Sequence, residues 1–209
     1  TDTWADMSYP GADWQLLTVE FNDGTDRQYS ANNSSGTNTF TSIDAELDLS
    51  VGTLNVSRYE YTAGVLEINK VEIWDDTTRA LYMFYEVTNT SATDVTDFRL
   101  MHAVDPDQDR HFGGTASTLN DTIDADIDGT HEWVESVGAV GLRSVGYGLC
   151  DLTDELGHTN WTEDADATLA DDDAASADRT MHWRHREATI AAGDTVTFGV
   201  IFATGASAA

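Results

Sequence analysis

The 209-residue sequence predicts an all-β fold, an antiparallel β-sandwich of the jelly-roll or a related kind with few or no helices. Apolar residues alternate with period two in segment after segment, the mark of half-buried strands. Turn-forming residues separate those segments at intervals that suit a sandwich. No stretch repeats apolar residues at the 3.6-residue spacing of an amphipathic helix.

Leu17, Val19 and Phe21 share one face of the first strand, and Asn22-Asp23-Gly24 follows as a turn. Residues 65–74 and 79–89 read as a hairpin across Asp75-Asp76-Thr77-Thr78, with Ala63-Gly64 turning the chain just before it. In the second arm Leu81, Met83, Tyr85 and Val87 fall on one side. Phe98, Leu100, His102 and Val104 repeat the pattern, as do Val196, Phe198, Val200 and Phe202 after the turn Ala192-Gly193-Asp194. Thr195, Thr197, Gly199 and Ile201 occupy the opposite face of that last strand. The stretch from Glu163 to Ala175 is nearly all Asp and Ala and reads as a solvated loop with one helical turn. With only Pro10 and Pro106 as prolines, and no linker or internal repeat, residues 14–209 read as one domain. Residues 1–13 form a polar arm ahead of it, suited to packing on a neighbouring subunit.

Charge narrows the habitat. Thirty-eight acidic residues face ten basic ones for a formal net charge of −28, and Lys70 is the only lysine. At low ionic strength such a charge pushes a compact chain apart. Molar salt shortens the screening length to about 3 Å and removes most of that cost. An Asp-rich, Lys-poor surface on an ordinary core is the pattern of haloarchaeal proteins; the alternative is an acidic protein that binds cations or basic partners. Either way the charge excludes nucleic acid and anionic membranes as partners. No apolar run approaches the 18 residues of a membrane span. Cys150 is the single cysteine, so no internal disulfide framework exists, and its run Gly146-Tyr147-Gly148-Leu149-Cys150 reads as a buried small hydrophobe. The first residue is Thr1, which fits removal of an export signal.

Six of the nine asparagines lie in N-x-[ST] acceptor triplets: Asn32, Asn33, Asn55, Asn89, Asn120 and Asn160. Ser and Thr make up 41 residues, so chance places a hydroxyl at the third position only about twice in nine. The excess points to an exported, N-glycosylated chain with these triplets on exposed loops.

Asp124 to Glu135 matches a calcium loop at every position, with Asp124, Asp126, Asp128, the Thr130 carbonyl and a bidentate Glu135 as ligands around Gly129. No amphipathic helix precedes it, so a calcium site here sits in a β setting. Asp105, Asp107 and Asp109 form a second carboxylate cluster at the end of a strand, a candidate cation loop without the glycine and the closing glutamate. His182 and His185 are three apart in a strand, where they point to opposite faces and cannot share a zinc ion. No nucleophile elbow, phosphate loop, dinucleotide fingerprint or H-E-x-x-H occurs. Six tryptophans offer either core packing or a sugar-stacking platform.

Phe84 to Ser91, Val95 to Leu100 and Val104 to Asp109 compose a strand, an Asn-Thr-Ser turn, a second strand and an Asp-Pro-Asp loop, and Ile190 to Phe198 adds a glycine turn before a final core strand. Over about a quarter of the chain this arrangement resembles secreted haloarchaeal, or haloarchaeal-virus, β-sandwich surface proteins. The resemblance implies a place outside the cell, at a cell or virion surface. Together these readings predict a non-enzymatic structural subunit of a surface assembly such as a filament, envelope or capsid component. It would contact copies of itself or other surface subunits, with calcium stiffening the acidic loops. A carbohydrate-binding or adhesive module with glycan partners is the alternative, and a secreted hydrolase the third.

Overall fold

The structure is a computed structural model describing residues 15–30, 40–43, 49–51, 53–75, 77–106, 118–123, 132–138, 143–151, 153–160, 162–170, 175–177 and 179–206. The arm 1–13 lies outside them. The described residues contain strands and no helix, arranged in two antiparallel sheets. In chain order the strands are β1 (Gln15–Asn22), β2 (Asp26–Ser30), β3 (Thr41–Ile43), β4 (Leu49–Val51), β5 (Leu54–Ala63), β6 (Leu66–Asp75), β7 (Ala80–Asn89) and β8 (Val95–Val104). They continue with β9 (Thr118–Ile123), β10 (Trp133–Gly138), β11 (Arg143–Leu149), β12 (Glu155–Thr159), β13 (Ala175–Ala177), β14 (Thr180–Ile190) and β15 (Thr195–Ala206). The small sheet runs β12-β14-β8-β1-β2, and the large one runs β13-β9-β10-β11-β15-β7-β6-β5-β3, with β4 also on β5.

The core lies where the alternation predicts. Val19, Phe98, Leu100 and Trp183 of the small sheet meet Met83, Tyr85, Val87, Val200 and Tyr147 of the large one, all of them buried. Tyr85 stacks on Trp183 and on Phe198 at 5.6 Å each, and His185 stacks on Phe198 at 3.8 Å. Each such side chain contributes roughly 1.5–3 kcal/mol by leaving water. Two histidines tie the layers with polar bonds: His102 Nδ1 meets the Tyr147 hydroxyl at 2.7 Å, and His158 Nε2 lies 3.1 Å from the Glu135 carbonyl. The predicted hairpin is β6–β7, in register from Leu66 opposite Asn89 to Trp74 opposite Leu81. Gly64 turns β5 into β6 at φ 59°, and a Cβ there would come within 2.6 Å of the Tyr29 hydroxyl.

At one end of the sandwich Asn89, fully buried, stitches two turns together. Its Nδ2 donates to the carbonyls of Thr93, Ile190 and Ala191, while its Oδ1 accepts from the Ser91 amide and hydroxyl. The acceptor triplets were expected on loops, and at three of them the chain is a strand. Asn89 ends β7, Asn55 lies half-buried in β5 with its amide donating to Thr53 O, and Asn120 pairs with Ser136 and Ala175 inside β9. Asn160 does lie exposed beyond β12, its Oδ1 accepting from Arg179. Asn32 and Asn33 fall outside the described residues.

The acidic stretch after Glu163 is not a solvated loop over its described part. Residues 162–170 form a strap across the outer face of the small sheet, with Glu163 and Ala165 buried. Arg184 donates to the Ala165 and Ala167 carbonyls at 2.7 and 2.8 Å and pairs with Glu155. Glu20 accepts from the Ala165 amide, Gln28 donates to Glu163 O, and Arg99 and Arg186 pair with Asp166. Arginines thus cluster where acidic chain must be held against acidic chain. Lys70 lies inside the sandwich, paired with Glu72 at 2.5 Å and facing the rings of Tyr59 and Tyr85. The outer surface therefore carries no exposed lysine ammonium.

Candidate ligand-binding face

Alternation that sends Met83, Tyr85, Phe198 and Val200 inward sends Phe84, Glu86, Thr197 and Gly199 to the outer face of the large sheet. Register then fixes their neighbours. Glu86 stands opposite Asn69, and Phe84 opposite Val71, which itself faces Arg58 on β5. These residues line an open groove of about 650 Å³, walled at one end by Cys150 and Asp151 where the chain leaves β11.

The groove has a polar side and an apolar floor. On the polar side Arg58 Nη2 donates to Asn69 Oδ1 at 3.1 Å and pairs with Glu60 at 3.0 Å, and Asn69 Nδ2 donates to Glu86 Oε1 at 3.2 Å. This bond chain crosses three strands and orders donors and acceptors that point to solvent. The floor is Val71 and Phe84, and Phe84 at 44% exposure is the most exposed large apolar side chain among those described. Its ring leans over Gly199, where a Cβ would come within 2.9 Å of Phe84 Cδ1. The glycine is what lets the ring lie flat on the sheet.

Cys150, expected as a buried hydrophobe, is exposed at this rim, because β11 ends at Leu149 and the chain turns outward. Partial burial, and then the charge of Asp154, push its thiol above the usual range. Asp151 is held below the usual carboxylate range by hydrogen bonds from the Thr153 amide and hydroxyl.

Of the expected calcium ligands, Glu135 is described and Asp124, Asp126, Asp128 and Thr130 are not. Glu135 is the third residue of β10, directly opposite Asp121 and Gly146, so the last position of the matching stretch is a strand residue. Burial, then the Asp121 charge, raise its carboxyl above the ordinary value. Asp105 follows β8 half-buried beside buried Pro106, while Asp107 and Asp109 lie outside the described residues. Among the described residues no three His, Cys, Asp or Glu side chains gather to hold a metal. His182 and His185 occupy opposite faces of β14: His182 contacts Met101 Sδ on the outer side, and His185 bonds Asp154 and stacks on Phe198 inside. Among the described residues no helix is long and apolar enough to cross a membrane.

Asn69 and Glu86 were missed from sequence because only the core face of the 65–89 hairpin was read, and Arg58 because β5, before that hairpin, was not read as a strand. The hairpin's polar face, placed in register from the turn, carries the signal.

No protein-family model and no curated protein matches this chain. Among solved structures it is similar to a protein described as a kojibiose phosphorylase from human microbiome, at 10% identity and a TM-score of 0.45. The match covers 90% of this chain and 21% of that one, so this chain spans about a fifth of that protein's length.

Proposed function

We propose that this chain is a non-enzymatic binding module of an extracellular surface assembly, displayed on a haloarchaeal cell or virion, and that its outer sheet face takes a neutral carbohydrate. The observation that carries the reading is the exposed Phe84 ring beside the Arg58–Asn69–Glu86 bond chain. A sugar offers an apolar C–H face ringed by hydroxyls, and this groove offers a flat ring edged by ordered donors and acceptors. A net charge of −28 disfavours an anionic ligand. The acid load and the burial of the one lysine support a high-salt habitat.

A glycan array read in about 3 M KCl tests the binding reading. A neutral glycan that Phe84→Ala weakens about tenfold supports it; silence across the array, or equal binding by the variant, sinks it. The assembly reading is tested by light scattering in the same salt, with calcium and with chelator. Large particles that loosen on chelation support both the subunit role and calcium at Asp105, Asp107, Asp109 and the 124–135 stretch. A monomer indifferent to chelator removes both and leaves the binding module.

A further inference from the structure

A second aromatic ring lies on the same face. Val134 is in the core and Ser136 is buried toward β12, so Trp133 and Glu135 face outward from β10. Trp133 covers the backbone of β11, where a Cβ on Gly148 would come within 2.4 Å of its Cζ3 and one on Gly146 within 2.8 Å of its Nε1. The indole therefore lies flat across two glycines with one face on the sheet, and the residue keeps partial exposure. Phe84 does the same over Gly199 in the adjacent strand.

Register sets the distance between the rings. Gly148 stands opposite Ile201, two residues along β15 from Gly199. One strand spacing and two residues of rise put the two covered glycines roughly 8 Å apart. That is too far for one six-membered sugar ring to cover both, and within reach of adjoining rings of a chain. Between them the outer face carries Ile201, directly opposite Gly148, and exposed Cys150, which follows Leu149 beside Gly199 at the groove wall. The rim carries Asp121 and Glu135 at the Trp133 end and Glu86 and Asp151 at the Phe84 end, which suits an uncharged ligand and repels a polyanion.

Resting on the carbohydrate reading, we infer that Trp133 and Phe84 are two stacking subsites of one site, and that the ligand is a neutral oligosaccharide laid diagonally across β11 and β15. A monosaccharide fills only one subsite.

The test is a titration in about 3 M KCl against neutral gluco-, manno-, galacto- and N-acetylglucosamine oligosaccharides of one to six units, read by calorimetry and tryptophan fluorescence. Affinity should rise about tenfold between one unit and the length that spans both rings, with a change in indole emission. Trp133→Leu keeps an apolar cover over the glycines but no stacking face. It should melt close to the parent and bind long and short sugars alike, whereas Phe84→Leu should weaken every length. Length-independent affinity, or unchanged length dependence in Trp133→Leu, overturns the tandem site while binding weakened by Phe84→Leu keeps the module. Failure of every neutral sugar to bind removes the carbohydrate reading as well.

Discussion

Replacing Asn89 by Ala separates two roles that one triplet could hold. As a glycan acceptor, Asn89 would present Nδ2 to solvent. In the fold that nitrogen lies 2.8 Å from Thr93 O, 3.0 Å from Ile190 O and 3.3 Å from Ala191 O, and Oδ1 accepts twice from Ser91. Two amide protons shared among three carbonyls count as about two full bonds, so about four bonds are lost. At roughly 1 kcal/mol net for each, Asn89→Ala should cost about 3–4 kcal/mol. A chain of this size loses about 2–4 °C per kcal/mol, so the melting point should fall by roughly 6–16 °C. Ser91→Ala also destroys the acceptor triplet but removes only the bonds of one hydroxyl, which donates to Asn89 Oδ1 and Thr93 O and accepts from the Thr93 amide, at about 1–2 kcal/mol. Urea melts of the two variants in about 3 M KCl, with intact mass of the parent, make the comparison. A loss under about 1 kcal/mol in Asn89→Ala, equal losses in both, or a glycan on Asn89 in the folded parent would refute the structural reading.

Acid should weaken the fold through its histidines. Burial above all, then nearby positive charge, holds His102 well below its ordinary pKa and His182 at about 3, so both stay neutral where the unfolded chain takes up protons. That stability is present above the unfolded value near 6.5 and is lost as pH falls below it, by up to about 1.4 kcal/mol per unit for each histidine. Urea midpoints at pH 7.5 and 5.5 check this, and a flat profile counts against it. Glu135 has the opposite sign: its raised carboxyl makes the fold bind more protons than the unfolded chain, so stability drops as pH rises through its titration. Glu135→Gln should therefore stabilise at pH 7 by a few tenths of a kcal/mol, an effect that shrinks with added KCl; a destabilised variant would contradict the Asp121 repulsion. Arg184→Ala should cost about 2–4 kcal/mol by freeing the Ala165 and Ala167 carbonyls, and should expose the 162–170 strap to protease; an unchanged digest would show the strap held elsewhere.

The residues of β1, β7, β8 and β15 announced their strands and their core faces, because a period-two pattern has one solution when one face must be dry. The glycine turns at 24, 64 and 193 were equally legible, each at positive φ. Other features were not local. The same N-x-[ST] spelling is an exposed bend at Asn160 and a buried clamp at Asn89, and the difference depends on Ile190 and Ala191, a hundred residues away. The acidic strap looked solvated because the arginines that hold it come from β8 and β14.

By itself the sequence determined the class of fold, the inward and outward faces of its clearest strands, and a net charge of −28. Which outward residues stand together was decided by the tertiary structure. Phe84, Trp133, Asn69 and Arg58 sit on four strands, and only the order β10-β11-β15-β7-β6-β5 brings them onto one surface. Strand order is set by which edges pair and which faces pack across the whole chain, and no local pattern of residues carries that information.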